Sequence, residues 1–312
     1  MFKSLLTATI LALTASTALA ETFTIVTLGD TAYGKPAEVY PQYEALIGAI
    51  NARKPDLVIH VGDTKSGSTP CSDEALTQQL SYLNSFAAAL LYSIGDNEWT
   101  DCHREKAGKF DPLDRLAFIR KTYFGTPTKS FGQTKLDVTS QAAEGYPENA
   151  MLIHKDVAFI TVHVPGSNNN FEIRDPKAVA EFFARDAADV KWINATFASA
   201  KDAKAVVIGM QANMFEFDWN AEKDETWLRH SGFLNIGNAI IDNAAKFGKP
   251  VLLVYGDSHT YSVMQPFPTR AKNVTALQVP GEKDMDAVTV TIDPAAAEPF
   301  VTAVLKNPAL SN

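Results

Sequence analysis

The sequence predicts an α/β protein with two sheets packed face to face and helices outside them. Three observations carry this prediction. Apolar runs at Thr22–Leu28, Leu57–Val61 and Leu90–Ile94 alternate with two amphipathic stretches, a βαβαβ order that builds a largely parallel sheet. Each run, and a fourth at Val251–Tyr255, leads into Gly-Asp: Gly29-Asp30, Gly62-Asp63, Gly95-Asp96 and Gly256-Asp257. The first three aspartates stand 33 residues apart each time, room for a crossover helix and a loop. Finally, the chain closes in short alternating stretches with the period of antiparallel strands.

The elements follow in order. After the first strand, a helix from Pro36 carries Tyr40, Tyr43, Leu46, Ile47 and Ile50 on one apolar stripe and stops before Pro55. A second helix, Asp73–Ala89, is capped by Ser72 or Asp73. A third, Pro112–Tyr123, starts with proline in the first turn. Residues 125–150 are rich in Gly, Pro, Thr and Ser and read as a long excursion from the core. Met151–Lys155 and Val157–Val164 form a hairpin turning at Lys155-Asp156. A long helix, Pro176–Ala198, a strand, Ala205–Met210, and a mainly helical stretch, Glu222–Lys246, precede Val251–Tyr255. Tyr261–Val263, Val274–Val279, Ala287–Ile292 and Phe300–Leu305 are the closing strands, read as antiparallel.

Residues 1–20 read as a signal peptide: Lys3, a mostly apolar stretch from Leu5 to Leu13, and Ala18-Leu19-Ala20 before Glu21. The expectation is a periplasmic or secreted protein without a membrane anchor after cleavage, residues 21–312 forming one domain. Formal charge is −8, or −9 once Lys3 is removed, which argues against nonspecific binding to nucleic acid. Export makes a Cys71–Cys102 disulfide the leading reading of the two cysteines, with two inert thiols as the other.

Asp30, Asp63, Asp96 and Asp257 converge if their strands share orientation, and clustered carboxylates repel unless a cation sits among them. His259, two residues past Asp257, can join them. In this order the segments Asp30-Thr-Ala32, Gly62-Asp-Thr-Lys-Ser66, Gly95-Asp-Asn-Glu98 and Gly256-Asp-Ser-His259 resemble the calcineurin-like metallophosphoesterase family. The resemblance spans nearly the whole mature chain and implies a four-layer α/β/β/α sandwich of two mixed sheets flanked by helices. It also implies a one- or two-metal site held by Asp30, Asp63, Asp96, Asp257 and His259, with Gln211 adding a neutral oxygen.

The chain departs from the family pattern at telling places. Ala32 stands where the family has a ligating histidine, Asp96 where it has asparagine, and Asp257 where it has histidine. Gln211 or Asn213 stands at the later histidine, and Asn97 at the catalytic histidine. Exchange of imidazole for carboxylate moves metal preference toward Mg²⁺, Mn²⁺ or Ca²⁺ and away from Zn²⁺. A neutral amide at 97 can hold a phosphate oxygen but is no useful proton donor.

His103 and Arg104, close behind Asp96, are candidates for proton donor and phosphate ligand; surface residues on a stapled loop is their plainer reading. His163 ends a strand before Gly166-Ser-Asn168 and is read either as facing the same edge or as a core histidine. Lys65 and Lys106 are read either as neutralising phosphate charge or as solvent-exposed cations, His60 is structural, and Phe215, Phe217 and Trp219 form a substrate wall or an apolar packing strip. The predicted activity is metal-dependent hydrolysis of a small phosphate monoester or diester. The alternative is a relative without turnover that binds a metal, a phosphate ligand or a protein.

Overall fold

The computed structural model describes residues 21–216 and 231–310. Residues 1–20, read above as a signal peptide, and Phe217, Trp219 and His230 lie outside the described residues. The first sheet contains β1 (Phe23–Leu28), β2 (Leu57–His60) and β3 (Ala89–Tyr92), with β11 (Ala287–Ile292) and β12 (Phe300–Leu305) in the order β12-β11-β1-β2-β3. The second contains β4 (Thr139–Gln141), β5 (Tyr146–His154), β6 (Val157–Thr161), β7 (Ala205–Gly209), β8 (Val251–Tyr255), β9 (Ser262–Met264) and β10 (Val274–Gln278), in the order β4-β5-β6-β7-β8-β10-β9. Helices α1 (Pro36–Arg53), α2 (Asp73–Leu83) and α3 (Pro112–Tyr123) lie on the first sheet, and α4 (Pro176–Ser199) and α5 (Leu234–Phe247) on the second.

The layering follows from the two-residue period of strands. Ile25, Leu57, Ile59 and Leu91 of the first sheet meet Phe159, Val207, Leu252 and Val254 of the second in the central core. Their neighbours Val26, Val58 and Leu90 point the other way, onto Tyr43, Leu46 and Leu83 of the helices. Val206, Ile208 and Leu253 do the same toward Trp192, Ile193 and Ile240. Both sheets are buried on both faces, which is why their strands read as unbroken apolar runs. Both are mixed in direction, so the α/β/β/α sandwich is borne out.

Three local expectations need correction. The second helix ends at Leu83, where the Asn84 amide turns back onto the Leu80 carbonyl, 3.0 Å away, and stops propagation. The closing strands are not all antiparallel: β10 runs parallel to β8, while β11 crosses to the other sheet and pairs antiparallel with β1. Periodicity cannot reveal this, because it does not say which sheet a strand joins. The 125–150 excursion is largely structured: Phe131 bridges to Leu90 at the edge of the first sheet, and β4 and β5 begin the second. Lys155 and Asp156 do form the hairpin turn, with φ of 46° and 63°, both left-handed as a two-residue turn requires.

Among the described residues, no helix is long and apolar enough to cross a membrane.

Candidate metal centre

Strands β1, β2 and β3 run parallel, so Asp30, Asp63 and Asp96 leave the first sheet at one end. At that end β8 delivers Asp257 from the second sheet, and the Asp257 amide donates to both carboxylate oxygens of Asp30 at 3.1 Å. The repeated Gly-Asp has a steric cause here. A Cβ at Gly95 would lie 2.1 Å from Asp63 Oδ1, and one at Gly256 2.3 Å from Asp30 Oδ2. Each of these glycines makes room for another loop's carboxylate. The aspartates are held in left-handed backbone, φ 51° at Asp30, 56° at Asp63 and 76° at Asp257, a strain that persists only where surroundings enforce it.

Asp63, Asp96 and Asp257 each present an oxygen, all within 4.8 Å of one another. Burial raises the Asp63 carboxyl well above its usual range, and Asp96, Glu98 and Asp30 push it further. Burial and Asp96 push Asp257 up to about 7. Burial and Asp257 raise Asp30 likewise. Such a buried set of like charges fits a divalent cation, and its all-carboxylate character is of the Mg²⁺, Mn²⁺ or Ca²⁺ type rather than the Zn²⁺ type. His259 lies beside Asp30, Nε2 3.6 Å from Oδ1, with its Nδ1 3.4 Å from Glu282 Oε2.

Gln211 is brought into the cluster, but not by its oxygen. Its Oε1 accepts the Gly166 amide, so Nε2 faces Asp63, Asp96 and Asp257 at 3.2–3.3 Å. Asn97 also turns onto the site: its Nδ2 donates to Asp63 Oδ2 at 2.9 Å and to the Tyr33 hydroxyl at 2.5 Å. Tyr33 in turn donates to Asp63 Oδ2 at 2.7 Å.

His103 and Arg104 line a neighbouring cavity of about 520 Å³, together with Asp101, Leu113, Ser167 and Lys177. His103 Nδ1 lies 2.6 Å from the Thr100 carbonyl and must donate to it, so in the neutral ring Nε2 is the acceptor and in the charged ring a second donor. Arg104 is paired with Asp101 at 2.5 Å. Ser167, which lines the same cavity, donates to Asp96 Oδ2 at 2.9 Å, so the cavity adjoins the cluster.

His163 is not brought to the cluster. It is fully buried, its Nδ1 2.9 Å from Glu148 Oε1, in a network completed by Arg120. Burial pushes its imidazole down to about 4 against the opposing pull of Glu148. Lys65 is likewise buried, and its ammonium caps the carbonyls of Ser66, Thr69 and Asn97 instead of facing a ligand. His60 ties two loops together through Thr31 Oγ1 and the Gly62 amide.

Tyr33, Glu98, Ser167 and Glu282 were not assigned roles from sequence. Glu98 stands in the Gly95-Asp-Asn-Glu98 segment, a usable signal. For the other three, local spacing carries none.

No protein-family model and no curated protein matches this sequence. Solved structures do match it in shape. A dimetal phosphatase from Danio rerio superposes with a TM-score of 0.54 at 10% identity, over 91% of this chain and 99% of that one. The purple acid phosphatase PPD1 from yellow lupin (Lupinus luteus) seeds gives 0.52 at 10% identity over 92% of this chain, which spans about half, 54%, of the lupin chain. The likeness is one of fold.

Proposed function

We propose that the chain is an exported, metal-dependent hydrolase of phosphate monoesters or diesters, a divergent calcineurin-like phosphoesterase domain at 21–312 behind a signal peptide. The observation that carries the reading is the convergence of Asp63, Asp96 and Asp257, within 4.8 Å, at one end of a sandwich shaped like enzymes named as phosphatases. The N-terminal segment and the Cys71–Cys102 disulfide support export.

Asp63, Asp96 and Asp257 would hold one cation, and Asp30 and His259, with Asp63 shared, a second. A bound cation supplies charge neutralisation of phosphoryl oxygens and a lowered pKa for water. Asn97 stands beside Asp63, and its Nδ2, which donates to Asp63 and Tyr33, would exchange one of these contacts for a phosphoryl oxygen. Arg104, held by Asp101, offers a second donor set at the adjoining cavity. His103 is the proton donor of this scheme when protonated at Nε2, its ring already oriented by Thr100. His163, buried in its own network, takes no part.

A second reading, metal or phosphate binding without turnover, is favoured by one observation: the amide nitrogen of Gln211, not an imidazole, faces the carboxylates. Calorimetric titration with Mg²⁺, Mn²⁺, Ca²⁺ and Zn²⁺, paired with hydrolysis of activated mono- and diesters, separates the two. Hydrolysis that follows Mn²⁺ or Mg²⁺ occupancy, lost together with binding in Asp63→Ala, is the expected result. A stoichiometrically bound ion with no hydrolysis of any ester establishes the second reading.

A further inference from the structure

The turn Gly166–Asn170 forms one wall of the carboxylate cluster. Four consecutive residues, Ser167, Asn168, Asn169 and Asn170, hold φ of 51°, 56°, 58° and 58°. Left-handed backbone is costly for residues with a Cβ, and asparagine bears it best. A run of four needs outside support. That support is visible in Arg185 of α4, whose side chain is fully buried. Its Nη1 donates to Asn169 Oδ1 at 2.6 Å and to the His163 carbonyl at 2.9 Å, and its Nη2 to the Asn169 carbonyl at 2.9 Å. Glu181 anchors the guanidinium from behind at 2.7 Å and also accepts the Asn170 amide at 2.8 Å. Gly232 closes the far side, its amide donating to Asn168 Oδ1 at 2.7 Å.

The clamped turn makes two contacts with the cluster. The Gly166 amide fixes the Gln211 side chain, and Ser167 Oγ donates to Asp96 Oδ2 at 2.9 Å. The second contact occupies Asp96 Oδ2, while Oδ1 accepts from Gln211 Nε2 at 3.2 Å, the same nitrogen that faces Asp63 and Asp257. Arg185 also touches the loop that carries Asp96: its Cζ lies 5.8 Å from the centre of the Trp99 ring, and the Trp99 amide donates to the Asp96 carbonyl at 3.1 Å. One buried side chain therefore spans both partners of the Ser167–Asp96 hydrogen bond.

We propose that Arg185 is a positioning residue of the metal centre, acting through the left-handed turn to hold Ser167 against Asp96 so that one carboxylate oxygen faces the cation. The inference rests on the cluster's holding a cation. Partners that orient a metal ligand from outside typically change metal affinity about 10–100-fold when removed. Arg185 and Ser167 act in series, so their effects must not add.

The test is a double-mutant cycle on the full chain, read by calorimetric titration with Mn²⁺ alone and by the electron paramagnetic resonance line shape of the bound ion. Ser167→Ala, at an exposed position, is expected to weaken Mn²⁺ binding about ten-fold and alter the line shape while leaving the melting temperature of the metal-free chain unchanged. Arg185→Lys, which keeps the charge but not the planar fork, is expected to weaken binding to a similar degree, with no further loss in the double variant. If Arg185→Lys does not fold, Glu181→Gln, which loosens the same guanidinium, takes its place in the cycle. Unchanged Mn²⁺ affinity in Ser167→Ala, or additive losses in the double variant, overturns the proposal. Absence of Mn²⁺ binding by the unmodified chain overturns the metal-centre reading on which it stands.

Discussion

The buried carboxylate of Glu98 accepts both the backbone amide and the hydroxyl of Thr64, at 2.6 and 2.8 Å, and so ties the loop carrying Asp63 to the loop carrying Asp96. The Asp63 amide donates to the same carboxylate at 3.2 Å. Glu98 is thus the acceptor that three donors on the neighbouring loop share, and it lies under the cluster without belonging to it. Each of those donors costs about 1–3 kcal/mol if left unpaired in the interior. Glu98→Ala is expected to lower unfolding free energy by roughly 3 kcal/mol or more in urea titration, and to weaken Mn²⁺ binding because Asp63 loses its backbone support. Glu98→Gln, which keeps an acceptor oxygen, should lose less of both.

The Cys71–Cys102 disulfide joins the loops after β2 and β3 across 31 residues of chain. Closing a loop of that length in the unfolded state stabilises the fold by roughly 3–4 kcal/mol on the chain-entropy account. The Cys71→Ser/Cys102→Ser protein, or the native protein in reductant, should show a urea midpoint lowered accordingly. Lys65 and the Asn97 carbonyl lie beside this staple, so Mn²⁺ affinity is expected to fall as well.

The Arg120–Glu148–His163 network should behave as structure and not as part of the site. Burial pushes the Glu148 carboxyl up, yet the hydrogen bond from His163 and the Arg120 guanidinium outweigh it and hold the group at about 2. Arg120→Ala strands a buried charge and is expected to cost about 3–5 kcal/mol. His163→Gln should lower the melting temperature while leaving Mn²⁺ affinity unchanged. A loss of Mn²⁺ affinity in His163→Gln would return this histidine to the centre.

His60 gives the protein a defined sensitivity to acid. Burial pushes its imidazole down to about 3, so the folded chain refuses a proton that the unfolded chain accepts near its ordinary value of 6.5. The depressed value means that its stabilisation is complete above pH ~6.5 and is lost as pH falls toward ~3, at about 1.4 kcal/mol per pH unit. His60→Gln should therefore be less stable than the parent at pH 7, with a gap smaller by roughly 2–3 kcal/mol at pH 4.5. Paired urea titrations at the two pH values measure that gap. A gap that does not change with pH would show that His60 is not buried in its neutral form.

Much of the fold was legible in the sequence because strand and helix periods are local properties. Val251–Tyr255 and Pro112–Tyr123 fall where their apolar pattern and flanking residues put them. The hairpin turn at Lys155 and Asp156 was likewise readable, because it lies between two apolar runs. The four Gly-Asp steps were visible as a pattern, and the parallel order of the first three strands already placed Asp30, Asp63 and Asp96 at one edge.

Only the tertiary structure decided the rest. It set Asp257 against Asp30 from the opposite sheet, and it explained two of the glycines as space for a carboxylate from another loop. It turned the oxygen of Gln211 away from the cluster, because the Gly166 amide takes it, and it buried His163 beside Glu148. It also enlisted Glu98, Tyr33, Ser167 and Arg185 through contacts with residues 16 to 71 positions away. By itself the sequence determined which residues could carry charge to the ends of the strands. Which of their atoms meet was decided by packing, since a hydrogen bond between remote loops depends on a closeness that no local pattern encodes.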